Sequence, residues 1–120
     1  MKIQFFDDPS NLHKTPENTR INQIGIHVFP DNRRVAVGFD ITPFRERPSL
    51  EVVIVNEHDE VAGTLNVIET LSPNFHLTMH LQDKKPTQQY NVFVELYYAQ
   101  MDKPRQVVDR HTTQFTIPQS

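Results

Sequence analysis

Two stretches of strict alternation constrain this chain more than anything else in it. Phe75, Leu77, Met79 and Leu81 alternate with polar neighbours, and after a polar loop Tyr90, Val92, Val94, Leu96 and Tyr98 alternate again. A period of two sends successive side chains to opposite faces, so each stretch predicts a half-buried strand, and the two together an antiparallel pair. A helix would need its apolar residues three and four apart. No stretch keeps that spacing for a useful length, although residues 12–17 allow a brief turn.

Prolines mark where the other strands end, because a ring without an N–H cannot sit inside a ladder. Residues 21–29 carry Ile24, Ile26 and Val28 on one face and close on Pro30-Asp31-Asn32, a turn sequence. Residues 34–41 place Val35, Val37, Phe39 and Ile41 in clean alternation, and the link over 42–48 is long enough to carry the chain to a second sheet. In residues 50–55 the run Val52, Val53, Ile54, Val55 has no polar break, as expected of a strand covered on both faces. The turn Asn56-Glu57-His58-Asp59-Glu60 leads into a strand over 61–68. A last strand runs from about 105 to 117, where Val107 and Val108 are out of phase with Phe115 and Ile117 unless a bulge lies between them. The expectation is an all-β, seven-stranded antiparallel sandwich over residues 21–120. Residues 1–20, polar apart from Phe5, Phe6 and Leu12, are a tail or an arm that packs on it.

Composition narrows the function. The chain's 120 residues fit one domain with a sizeable core, and with no cysteine it has no disulfide, thiolate metal site or thiol nucleophile. Ile3-Gln4-Phe5-Phe6 before Asp7-Asp8 falls short of an apolar export signal, and no run reaches membrane-spanning length, so the expectation is a cytoplasmic protein with no membrane partner. A formal charge of −3, with Arg33-Arg34 and Lys84-Lys85 as isolated pairs, argues against nucleic acid.

The strand count, the crossover after the second strand, and the run Lys85-Pro86-Thr87-Gln88-Gln89-Tyr90-Asn91-Val92-Phe93-Val94 resemble a fibronectin type III-like or bacterial immunoglobulin-like domain over residues 21–118. The resemblance makes Tyr90 the corner tyrosine and gives Phe39 the volume that a tryptophan usually fills. It implies strands one, two and five in one sheet and three, four, six and seven in the other. It also implies a spacer, adhesion or docking role. Such sandwiches host unrelated functions, so function must be argued from a site.

Candidate chemistry is sparse. His76 and His80 would share one face of a helix, but on a strand positions four apart lie roughly 13 Å from each other, too far to hold one metal ion. The acidic turn Glu57-His58-Asp59-Glu60, joined by Asp31 or Asp102, offers oxygens for calcium without an EF-hand pattern. None of the four serines sits in a nucleophile elbow, three glycines are too few for a phosphate-binding loop, and no base, nucleophile and oxyanion donor can be named together. Neither a catalytic residue, a metal ligand nor a cofactor site is expected.

The sharper expectation concerns aromatic residues that point away from the core. The outward series of the sixth strand is Asn91, Phe93, Glu95 and Tyr97, and the third strand adds Val53 and Val55. Side by side, Val53, Val55, Phe93 and Tyr97 would form an apolar patch too large to leave wet, extended by Val107 or Val108. Its cover is the chain's own arm, a second copy, or a different protein. The predicted function is a non-catalytic protein-interaction module, most testably a homodimer. A sandwich taking carbohydrate or calcium at its loop ends is the alternative.

Overall fold

In the computed structural model, which describes residues 13–118, seven strands form two antiparallel sheets. They are β1 (Ile21–Val28), β2 (Arg34–Ile41), β3 (Ser49–Asn56), β4 (Val61–Val67), β5 (Asn74–His80), β6 (Gln89–Gln100) and β7 (Lys103–Thr116). The only helical segment among the described residues is a 3-10 turn at Pro16–Asn18. One sheet has the order β1-β2-β5 and the other β4-β3-β6-β7, the partition expected of an immunoglobulin-like sandwich. Among the described residues no helix is long and apolar enough to cross a membrane.

The core follows from the alternation. Val35, Val37, Phe39 and Ile41 of β2 face Leu50, Val52 and Ile54 of β3 and Val92, Val94 and Leu96 of β6, all buried. Each such side chain gains about 1.5–3 kcal/mol from leaving water. Phe39 and Phe75 pack in the core with ring centroids 5.2 Å apart. Tyr90 stacks on Phe115 at 5.1 Å, with an interplanar angle of 10°.

The expected bulge in the last strand is present. Leu96 pairs with Asp109 but Tyr97 with Val107, so Val108 is the extra residue and packs against the core. Without it, the residues before and after could not keep both their faces.

Tyr90 is the centre of a buried polar knot that ties three loops together. Its hydroxyl donates to Asp83 Oδ2 at 2.9 Å, and Asn56 Nδ2 donates to the same oxygen at 2.9 Å. Arg33 Nη2 reaches Asp83 Oδ1 at 3.2 Å and the Leu81 carbonyl at 2.7 Å. Burial alone would raise the Asp83 carboxyl, but the bonds donated by Asn56, Tyr90 and Arg33 reverse this and hold it below the usual carboxylate range. Burial and the Asp83 bond push the Tyr90 phenol up.

Residues 13–20 are fastened to the body. Lys14 pairs with the link between β2 and β3, its N–H donating to the Pro43 carbonyl at 2.8 Å and its carbonyl accepting from Arg45 at 3.0 Å. Thr19 is fully buried with its hydroxyl 3.1 Å from that of Tyr98, which donates to the Glu46 carbonyl at 2.9 Å. The Ile21 N–H donates to Asp109 Oδ2 at 2.9 Å, joining the start of β1 to β7 across the sheets. Phe5, Phe6 and Leu12 lie outside the described residues.

Candidate interaction face

Antiparallel pairing puts directly opposed residues on the same face, so the register defines the outside of the four-stranded sheet. Across β4, β3, β6 and β7 one row reads Thr64, Val53, Phe93, Thr112, and the next Asn66, Glu51, Glu95, Arg110. Val55 stands opposite Val61 on one side and Asn91 on the other, and Tyr97 lies between Ser49 and Val107. The four residues expected to form a patch, Val53, Val55, Phe93 and Tyr97, therefore do share one outer face.

They are not equally available. Phe93 is 44% exposed, and neighbouring Val61 is 52% exposed. Val53 and Val55 are half-buried between their neighbours. Tyr97 is sealed at 3% exposure although it points away from the core. Its hydroxyl donates to Asn66 Oδ1 at 2.7 Å, and the Arg105 guanidinium lies over its ring, 4.3 Å from the centroid. The chain supplies its own cover there. What remains open is an apolar strip of Val61, Val55, Val53 and Phe93.

The lid over Tyr97 also answers an electrostatic conflict. Glu51 and Glu95 stand directly opposite on β3 and β6, an arrangement that repels. Arg105 bonds to both carboxylates and Arg110 Nε reaches Glu95 at 3.0 Å, so the charges beside the strip are balanced. Sequence reasoning named Glu95 but not these arginines. Their placement depends on the bulge at Val108, which fixes which face Arg105 takes. Between the strip and this network lies a depression of about 210 Å³, lined by Glu51, Val53, Phe93, Glu95, Arg110 and Thr112.

The other candidate groups are dispersed or already engaged. His76 and His80 lie on β5, exposed, opposite Gly38 and Arg34. Glu57 Oε2 accepts the N–H groups of Gln88 and Gln89, while Glu60 accepts those of Lys84 and Lys85. Glu57 and Glu60 thus spend their carboxylates on the backbone before and at the start of β6, and the bonds from Lys84 and Lys85 hold the Glu60 carboxyl below its ordinary range.

No family profile and no curated protein matches the sequence. Solved structures do match the fold. A glycosyl hydrolase family 2 member from Bacteroides cellulosilyticus aligns at TM-score 0.56 and 16% identity over 82% of this chain. A β-glucuronidase from Bifidobacterium dentium, complexed with coumarin-3-O-glucuronide, aligns at 0.53 and 15% over 82%. One from Lactobacillus rhamnosus aligns at 0.52 and 12% over 83%. The chain spans only 14%, 18% and 16% of those proteins, so each contains this sandwich as a small part of a much longer chain.

Proposed function

We propose that this chain is a non-catalytic interaction module of the cytoplasm, joining a second copy of itself through the outer face of the β4-β3-β6-β7 sheet. The carrying observation is the open strip of Val61, Val55, Val53 and Phe93. A twofold contact needs one surface that is complementary to itself, and this one offers both a projecting ring and a depression beside it. The flanking glutamates and arginines supply both signs of charge for a polar rim. In this reading Phe93 is the anchor, Val53 and Val55 the floor, and Tyr97, under Arg105, the support at the edge. The neighbours favour a non-catalytic role, since in them the same sandwich accompanies a far larger remainder of the chain. A cysteine-free composition suits a reducing compartment.

Sedimentation of the intact chain and of Phe93→Glu tests the proposal. Two buried Phe93 rings per dimer are worth roughly 1.5–3 kcal/mol each, so the variant should dissociate at least about a hundredfold more readily with unchanged melting of the monomer. A monomeric mass for the intact chain at every concentration would remove the dimer.

A further inference from the structure

The opposite face of the molecule, outside the three-stranded sheet, carries a second feature that is independent of the docking strip. Its register sets Gln23, Asp40 and Asn74 in one row across β1, β2 and β5, and Gly25, Gly38 and His76 in the next. Two glycines directly opposed on adjacent strands leave a bare patch of backbone. The result is a depression of about 410 Å³ lined by Gln23, Gly25, Gly38, Asp40, Asn74 and His76.

Among the described residues nothing requires those glycines. Neither has a positive φ. A Cβ at position 25 would meet no atom within 4 Å, and one at position 38 would meet His76 Cβ at an ordinary 3.8 Å. A glycine inside a strand weakens it, and two of them side by side leave backbone bare enough for a ligand to approach closely. The rim is also uncommitted. Among the described residues, no hydrogen bond or ion pair engages the side chains of Gln23, Asp40, Asn74 or His76, although the Asn74 backbone bonds to the Ser72 hydroxyl, whereas Glu51, Glu95, Arg105 and Arg110 on the other sheet form one ion-pair network.

We propose that this depression binds a neutral saccharide, one face of the ring lying on the Gly25–Gly38 backbone and its hydroxyls shared among Asp40, Asn74, Gln23 and His76. Hydroxyls both donate and accept. The two amides and the imidazole can do either, and the carboxylate is a strong acceptor. No lysine or arginine lines the depression, so a phosphate or a sugar acid would meet Asp40 without a counter-charge.

Amide chemical shifts followed during titration with methyl β-glucoside, methyl β-galactoside and methyl α-mannoside provide the test. At least one of them should move the amides of Gly25, Gly38 and His76, and glucuronic acid should not. Asp40→Ala should weaken binding about tenfold or more, as expected for losing a hydrogen bond to a charged group. Gly25→Val should abolish binding by raising the floor while leaving the melting temperature equal or higher. The proposal is overturned if none of the three sugars moves those amides, if glucuronic acid binds as well as they do, or if a folded Gly25→Val chain binds normally. Repeating the titration with Phe93→Glu separates this site from the docking face, because saccharide binding should be unaffected whichever mass that variant shows.

Discussion

Asp83 shows how a residue that reads as ordinary loop surface becomes structural. It sits in the polar stretch between β5 and β6, and sequence reasoning assigned that stretch no role beyond a connection. Two of its partners are distant in the chain, Asn56 from the end of β3 and Arg33 from the first turn, while Tyr90 lies seven residues on at the start of β6. Tyr90 was legible because its position at the start of β6 resembles a corner tyrosine, but the bonds from Asn56 and Arg33 that complete the knot on Asp83 join loops that meet only in three dimensions. Since the Asp83 carboxyl titrates below its unfolded value of about 3.9, the stability it confers is complete above that pH. That contribution should be lost as pH falls through the lower folded value. Urea midpoints measured down the acid limb should therefore fall with pH, and Asp83→Asn should flatten that limb while lowering the plateau at neutral pH.

Strand alternation carried enough information to place all seven strands within a few residues, including the division into sheets once the resemblance was drawn. Alternation could not show how the segment before β1 is held, because the Thr19 and Tyr98 hydroxyls find each other across 79 positions of sequence. Thr19, Tyr98 and the Glu46 carbonyl form a clamp that fixes residues 13–20 against the link and the inner side of the β6–β7 pair. Tyr98→Phe removes both bonds with no change in packing volume. It should cost about 1 kcal/mol and speed amide exchange at Lys14 and Thr19, while amides in the middle of β3 stay protected. Equal acceleration everywhere would mean that the clamp belongs to the global fold rather than to this segment.

The assembled molecule presents two unlike outer faces, and the difference lies in how each treats its polar groups. On the β4-β3-β6-β7 side charges neutralise one another around an apolar strip, while on the β1-β2-β5 side uncommitted polar groups surround bare backbone. The strand register sets Val53, Val55, Phe93 and Tyr97, grouped by the sequence pattern, on one outer face. The pattern could not reveal that Arg105 already covers Tyr97, because a one-residue bulge decides which face that arginine takes. The proposed contact between copies has a direct spectroscopic signature. In a mixture of isotope-labelled and unlabelled chains, intermolecular nuclear Overhauser effects should connect the Phe93 ring of one copy to the methyl groups of Val53, Val55 and Val61 of another. Intermolecular effects arising instead from β1, β2 or β5, or none at any concentration, would contradict it.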